Sequence, residues 1–352
     1  MHLTLGVAAH VDAGKTTLCE QLLRRAGVIR ACGRVDHGDA FMDDDPMERA
    51  RGITIFTEQA TLSWPVSGEE PLFVTLMDTP GHVDFSGEME RALSVLDAAL
   101  LVVSCAEGVQ SHTVTLFKLL QKKNIPTILF LNKTDREGAD VLRVMAQMRR
   151  LLSGDCVLMA GDMREALAER DELLLEQHLE ETASRADYLS GARRAFAACA
   201  LYPVLAGSAL GDIGVDALAE AVGALCRTDY ARREGEPFSA KAYRVRRVGG
   251  VRYTYVKVTS GVLRARDEVR TRSGVCKVAA ILAPQGDRLL PMGEAHAGQT
   301  AALAGLSARP GERIGDGFGL EAPETVPLMS VQVEPTAPLT QSALLAHLRE
   351  ME

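Results

Sequence analysis

Ala9 to Thr17 reads AHVDAGKTT, a fit to the phosphate-loop pattern G-x-x-x-x-G-K-[ST] with Ala9 in place of the first glycine. The pattern carries meaning between a strand and a helix, and the flanking residues predict both. Leu3 to Ala9 (LTLGVAA) reads as a buried strand, and Lys15 to Arg25 reads as a helix. Backbone N–H groups of the loop and the helix N-terminus together make an anion site. Gly14 lets the backbone close on phosphates, Lys15 places a point charge between the β- and γ-phosphates, and the Thr16 hydroxyl is offered to Mg²⁺.

Outward from this loop, the chain repeats the same strand-and-helix alternation as far as residue 206. Pro71 to Met77 (PLFVTLM) predicts a strand ending at Asp78, and Asp97 to Ser104 (DAALLVVS) predicts another. Thr113 to Lys123 predicts a helix, Pro126 to Leu131 (PTILFL) a strand, and Tyr202 to Ala206 (YPVLA) a later strand. Runs that are apolar rather than alternating suit a mostly parallel sheet covered on both faces. The fold class expected is therefore α/β, with a doubly wound domain over residues 1–230. Right-handed crossovers place the C-terminal end of every such strand on one rim.

Further segments fall on that rim. DTPGH, Asp78 to His82, follows the strand PLFVTLM. A strand-end aspartate can hold a Mg²⁺-bound water, Gly81 leaves its N–H free for a γ-phosphate, and His82 stands next to the place of an attacking water. NKTD, Asn132 to Asp135, follows PTILFL. Ionised Asp135 is acceptor-only and matches the N1–H and 2-amino donors of guanine, a pair that adenine lacks. Leaving that carboxylate unpaired discriminates by roughly 10⁴-fold. Asn132 is expected to tie its loop to the phosphate loop, and the Lys133 stem to cover the base face. Two weaker segments complete the set. In RGITI, Arg51 to Ile55, Thr54 could supply a second hydroxyl to Mg²⁺, and in GSAL, Gly207 to Leu210, backbone N–H groups could meet the guanine carbonyl.

The remaining chain changes texture twice. From Ala139 to Ala200 it is mostly helical and charged, and DELLLEQHLEE reads as a solvated amphipathic helix. A polar linker, ARREGEP, spans Ala231 to Pro237. Beyond it FSAKAYRVRRV, GVRYTYVKVTSGVL, DEVRTRSG, VCKVAAIL and QTAALAGL are short strands broken by glycine and charge, which predicts a β-barrel or sandwich over residues 237–325. From Pro327 a fresh strand (PLMSVQVEP) and a helix (QSALLAHLREME) are expected. No helix stop signal precedes Glu352, so residues 326–352 read as the start of a third, α+β domain in a fragment of a longer protein.

Bulk properties narrow the class. A 47% apolar and 24% charged composition excludes a disordered chain, and no apolar run approaches the roughly 20 residues of a membrane helix. The N-terminus MHLTLGVAAHVDAGK lacks a basic stretch before an apolar run, so no signal peptide is expected. A net charge of −8 means that RNA would be met only through local patches. The seven cysteines include no C-x-x-C pair, which favours buried reduced thiols in a cytoplasmic protein over zinc or disulfides.

In their order AHVDAGKTT, RGITI, DTPGHVDF, NKTD and SAL resemble the translational GTPases, and GVRYTYVKVTSGVL, EAHAGQTAALAGL and PLMSVQVEP resemble that family's second domain and the opening of its third. Within the family, ERARGITIFTEQATLSW, RALSVLDAALLVVS and TLFKLLQKKNIPTILFLNK are similar to the tetracycline-resistance ribosomal protection proteins, relatives of elongation factor G. The resemblance implies a ribosome-dependent GTPase that hydrolyses GTP to GDP, with His82 catalytic. It implies GTP contacts from Asp12, Ala13, Gly14, Lys15, Thr16, Thr17, Asp78, Gly81, Asn132, Lys133, Asp135, Ser208, Ala209 and Leu210. It also implies Mg²⁺ on Thr16 and Thr54, with Asp78 acting through water, and an apolar gate of Val11 and Ile53 beside His82. The switch would be ordering of Asp39 to Ile55 by γ-phosphate. Two departures stand out. The family's lysine after Ser-Ala is Leu210 here, so only backbone contact with the base is expected, and Leu151 to Ala200 is shorter than the corresponding elongation factor G insertion. The partners implied are the ribosome and GTP or GDP, with no membrane and a monomeric chain. Alternatives are an elongation factor G-type translocase, a regulatory GTP-binding module with little hydrolysis, and a P-loop ATPase. Thr54 and His82 oppose the module, and Asn132 and Asp135 oppose the ATPase.

Overall fold

A computed structural model describes residues 1–33, 41–42, 54, 57–64, 71–80, 86–286, 288–317, 319–320, 332–336, 338 and 340–351. In its first half strands β1 (His2–Ala9), β2 (Glu58–Trp64), β3 (Leu72–Asp78), β4 (Ala98–Ser104), β5 (Thr127–Asn132), β6 (Cys156–Leu158) and β7 (Tyr202–Ala206) form one sheet. Their order is β2-β3-β1-β4-β5-β7-β6, and every pair is parallel except β2 with β3. Helices α1 (Lys15–Arg25), α2 (Ser86–Leu93), α3 (Ser111–Lys122), α4 (Val141–Leu151), α5 (Arg164–Ala168), α6 (Glu172–Leu179), α7 (Arg185–Ala197) and α8 (Val215–Leu225) accompany it.

The apolar runs are explained by what covers the sheet. Every residue of β4 and β5 is buried, and alternate side chains enter different cores. Leu100, Val102, Ile128 and Phe130 pack with Leu18, Leu22 and Leu23 of α1 and Leu218 and Val222 of α8. Leu101, Val103, Leu129 and Leu131 pack with Leu116, Phe117 and Leu120 of α3 and Met145 and Met148 of α4. Both faces are dry, so no polar alternation survives in these strands. The predicted α/β class and mostly parallel sheet are what the chain adopts, with ends within a few residues of expectation.

Two strands lie outside the sequence expectation. β2 alternates in burial along EQATLSW and pairs antiparallel at the sheet's outer side, Glu58 opposite Asp78 and Trp64 opposite Leu72. β6 is only three residues long, set inside the stretch read as mostly helical. In α6 Leu174 is buried while Leu173 and Leu179 are exposed, so the solvated reading of that segment suits most of its surface.

The linker region contains one helical turn, α9 (Tyr230–Arg233). Next come β8 (Ser239–Val248), β9 (Val251–Ser260), β10 (Val262–Arg264), β11 (Glu268–Thr271), β12 (Gly274–Lys277), β13 (Ala280–Gln285), β14 (Arg288–Pro291), β15 (Glu294–His296), β16 (Thr300–Ala304), β17 (Glu312–Gly315) and β18 (Gly319–Leu320). Among the described residues they form an antiparallel sheet of order β14-β13-β16-β9-β8-β17-β18 and two short ribbons, β10-β15 and β11-β12. Ala240, Val256, Val258, Leu263, Val269, Ile281, Leu303 and Ile314, from sheet and ribbons alike, share one core. Gly249 and Gly250, both at positive φ, turn β8 back into β9, a two-residue hairpin that only such dihedrals close without splaying. VCKVAAIL divides between β12 and β13 instead of forming one strand. Of the expected strand PLMSVQVEP, residues 327–331 lie outside the described residues and 332–335 are not in a strand, while a helix, α10 (Gln341–Met351), stands where one was expected.

The two halves are joined by buried polar contacts. Lys257 of β9 donates to Asp97 Oδ2 at 2.8 Å and to the Thr4 hydroxyl of β1. The Tyr230 hydroxyl donates to Asp97 Oδ1 at 2.5 Å, and its ring lies 4.8 Å from the Lys257 ammonium. Burial lowers the Lys257 pKa, against the pull of Asp97. All seven cysteines are free; four are buried and Cys32, Cys199 and Cys276 are half-buried, a less complete burial than expected. Among the described residues no helix is long and apolar enough to cross a membrane.

Candidate functional site

Parallel strands bring the loops after β1, β3, β5 and β7 to one rim, and the loop after β1 turns sharply. Asp12 and Gly14 both take positive φ, 62° and 90°. At Gly14 an added Cβ would lie 2.3 Å from Asn132 Nδ2, so sterics and dihedral alike demand glycine. Helix α1 then starts at Lys15 with no acidic residue in its first turn and with Arg24 and Arg25 in its last. Its positive end is thus directed to the loop and its negative end is matched by arginines.

Asn132 closes the rim. It is 2% exposed at the end of β5. Its Nδ2 donates to the Ala13 carbonyl at 2.8 Å, and its Oδ1 accepts from the Ala209 N–H at 2.8 Å. One amide therefore bridges the phosphate-type loop and the loop after β7. The Thr134 N–H donates to the Gly207 carbonyl at 3.1 Å and reinforces the second link. Lys133, also at positive φ, donates through Nζ to the Asp12 carbonyl. The same ammonium lies 3.5 Å from Glu107 Oε1, while Glu107 Oε2 meets His10 Nε2 at 2.9 Å. Burial raises the Glu107 pKa, but the His10 bond and the Lys133 charge outweigh it and hold the carboxyl below its ordinary value.

Asp135 is exposed on the same rim. A hydrogen bond from the Ser208 hydroxyl is the main cause holding its carboxyl below the ordinary value, so it is ionised and purely an acceptor near neutrality. Gly14, Thr17, Gln21, Cys32, Gly33, Asn132, Lys133, Asp135, Arg136, Ser208 and Leu210 line a cavity of about 330 Å³, the size of a small-molecule site. Leu210 is 59% exposed at its mouth.

At the start of α1, Lys15, Thr54 and Asp78 form a buried trio. The Lys15 ammonium donates to Thr54 Oγ1 at 3.0 Å and to Asp78 Oδ1. Asp78 is fully buried, and its Oδ2 has no hydrogen-bond partner among the described residues. Burial raises the Asp78 pKa, with the Lys15 charge opposing that shift. Thr16 is buried beside them. Hydroxyl and carboxylate oxygens of this kind are hard ligands suited to Mg²⁺, and the unpartnered Oδ2 is a free acceptor for a water on such an ion. No cluster of three His, Cys, Asp or Glu side chains able to hold a metal occurs among the described residues.

The structure thus brings Asp12, Ala13, Gly14, Lys15, Thr16, Thr17, Thr54, Asp78, Asn132, Lys133, Asp135, Ser208, Ala209 and Leu210 onto one rim. Val11 is there too, 39% exposed. Ile53, Gly81 and His82 lie outside the described residues. Sequence reasoning missed His10, Glu107 and Glu20. His10 and Glu107 are 97 residues apart, and only the fold pairs them. Glu20 is a buried acid on α1 whose carboxylate accepts from the Gly33 N–H at 2.8 Å and the Phe41 N–H at 2.9 Å. An acid on the apolar face of a predicted helix was the available signal for it.

Residues 1–228 match the family model described as the elongation factor Tu GTP binding domain. The chain is 33% identical over 371 residues to the tetracycline resistance protein TetM from transposon Tn5251 of Streptococcus pneumoniae, covering 99% of this chain and 57% of that protein. It is 31% identical to the tetracycline resistance protein TetW of Butyrivibrio fibrisolvens, with the same coverage. A crystal structure from Thermus thermophilus superposes with a TM-score of 0.82 at 25% identity, covering all of this chain and 60% of that one. The chain therefore spans little more than half the length of the curated relatives it matches. With the match running from Met1 past α8 to residue 228, the chain belongs to the elongation factor Tu GTP-binding domain family, the translational GTPases.

Proposed function

We propose that this chain is the nucleotide-binding and β-domain portion of a ribosome-dependent GTPase of the elongation factor G-like class, of the tetracycline ribosomal protection type. The observation that carries the reading is the pair of hydrogen bonds made by Asn132, which ties the loop after β1 to the loop after β7 around a cavity lined by Gly14, Thr17, Asp135 and Ser208. In this reading the ionised Asp135 accepts from guanine N1–H and the 2-amino group, with Ala209 and Leu210 offering backbone N–H groups to the carbonyl. Asp12 to Thr17 cradle the phosphates. Lys15 leaves Asp78 for the β- and γ-phosphate oxygens, and the buried Asp78 loses a partner that only another cation or a water can replace.

Thr16, Thr54 and Asp78 would hold Mg²⁺, Asp78 through water. The chemistry that ion supplies is neutralisation of charge on the phosphate oxygens. His82 would orient the attacking water, with Val11 and Ile53 as the gate beside it, and catalysis is positioning with little covalent work for the protein. The 33% identity to TetM supports the protection branch over a translocase. The domains proposed are 1–230 for nucleotide, 237–325 for the β domain and 326–352 for the start of a third. The ribosome is the partner.

Competition binding tests the base reading. GTP should displace a fluorescent guanine nucleotide and ATP should not, by a margin of about 10⁴. Asp135→Asn should exchange that preference for xanthine nucleotides, whose 2-oxo group replaces the 2-amino donor. Guanine preference surviving the exchange would remove Asp135 from the role.

A further inference from the structure

Arg244 of β8 reaches across to the nucleotide-bearing half at a place the site description leaves unused. Its guanidinium is buried, and Nη1 donates to the Thr57 carbonyl oxygen. Nη2 donates to Glu58 Oε1 at 3.3 Å, and Nε lies 3.8 Å from Glu88 Oε1. The Tyr255 ring sits 5.6 Å from the guanidinium carbon. Next to it the buried Tyr243 hydroxyl donates to Gln59 Oε1 at 2.7 Å. Burial works against the guanidinium charge, and Glu58 and Glu88 outweigh it.

The three contacted segments are those that a phosphate sensor would move. Thr57 and Glu58 come directly after the Thr54 segment, and Glu58 stands opposite Asp78 in the β2–β3 ladder. Glu88 lies in α2, the helix that follows DTPGH. The start of the Thr54 segment is approached as well, for a Cβ placed on Gly286 would come within 3.2 Å of Phe41. The β domain therefore bonds the chain just after residues 43–56, at Thr57 and Glu58, and passes close to it just before, at Phe41.

We propose that Arg244, seconded by Tyr243, is a positioning pair that couples the β domain to the γ-phosphate, by fixing the exit of the Thr54 segment and the start of α2. The inference rests on the GTPase reading above. A triphosphate calls on Thr54 and the DTPGH segment, whereas a diphosphate does not. Loss of the grip should therefore loosen GTP and leave GDP nearly untouched.

The test uses the 352-residue chain with Mg²⁺ and fluorescent GDP and a non-hydrolysable GTP analogue. Arg244→Lys keeps the charge and loses the two-pronged reach. It should speed release of the GTP analogue relative to GDP by about tenfold, the equivalent of one weakened charged hydrogen bond. Tyr230→Phe cuts a different buried contact between the same halves, the bond to Asp97, and should leave the GTP-to-GDP ratio unchanged. An unchanged ratio in Arg244→Lys overturns the proposal, and so does an equal change in Tyr230→Phe, which would reduce Arg244 to ordinary interface packing. If circular dichroism shows Arg244→Lys unfolded, Tyr243→Phe decides: about a threefold shift supports the pair and none refutes it. Failure of the unaltered chain to bind either nucleotide would instead defeat the GTPase reading, so the two failures are distinct.

Discussion

Asn132→Ala removes the side chain that staples the rim together, and its cost can be worked from two bonds. Both are 2.8 Å long, one to the Ala13 carbonyl and one from the Ala209 N–H, and both of those residues are fully buried. Truncation strands a buried acceptor and a buried donor. Each orphan costs about 1–3 kcal/mol, with a carbonyl at the lower end because it tolerates partial satisfaction. Water from the adjoining cavity relieves part of this, so about 3 kcal/mol in all is the working figure. The sheet core is untouched, so the loss should fall on loop geometry and appear as roughly 150-fold weaker GDP binding. Titration with a fluorescent GDP reads it directly, and urea melting without nucleotide checks that the fold persists. Asn132→Asp should do no better, since it can still accept from Ala209 but faces the Ala13 carbonyl with oxygen against oxygen. An Asn132→Ala affinity within threefold of the parent would refute the bridging role.

Other outcomes are expected from separate features. Gly14→Ala should bind nucleotide at least 100-fold more weakly, because its Cβ collides with Asn132 Nδ2 in a backbone conformation that costs roughly 1–2 kcal/mol for alanine; retained affinity on titration would contradict the close approach. His2 has its pKa lowered to about 4, chiefly by burial and then by the nearby α-amino group and Lys257. Between that value and 6.5 the unfolded chain binds more protons at His2 than the folded one, so stability should rise with pH across this window and fall on acidification. The unfolding free-energy difference between the parent and His2→Gln, read from urea melts, should be constant above pH 7 and shift against the parent by about 1–2 kcal/mol near pH 4, the figure being discounted for partial exposure; parallel profiles would disprove it. His82→Ala in the full-length protein should leave GTP affinity within a factor of about two and abolish ribosome-stimulated turnover, and undiminished turnover would take His82 out of the mechanism.

The rim was legible because its loops follow apolar runs that announce themselves. β4 and β5 are buried on both faces, so hydrophobicity alone marks them and the residues after them. β2 escaped because EQATLSW carries only alternating burial on an outer antiparallel strand, a weaker pattern interrupted by Glu58, Gln59 and Ser63. β6 is too short to carry any period at three residues. The tie from Asn132 to the loop after β1 was readable because both ends lie in recognised motifs, whereas its second bond, to Ala209, was not foreseen. Contacts outside the motifs were not readable: His10 with Glu107 and Arg244 with Thr57 depend on registers that no local pattern encodes. The division of VCKVAAIL into two strands has the same origin, for Val278 turns inward at the junction and bonds to Asp267 and Arg266 through its backbone.

The outermost strand of the nucleotide sheet also bears on how this protein should be handled. Gly286 donates its N–H to the Gln59 carbonyl at 2.8 Å, and the Gln285 amide exchanges two bonds with Thr61, at 2.9 and 3.2 Å. A hairpin tip from the distal half thus occupies backbone that would otherwise recruit a foreign strand. Trimming the polypeptide near residue 230 to obtain a minimal module would unmask that border and strand Asp97 without its ammonium partner. Such a truncation invites precipitation, and a soluble minimal module is better sought by retaining the hairpin than by cutting at the linker.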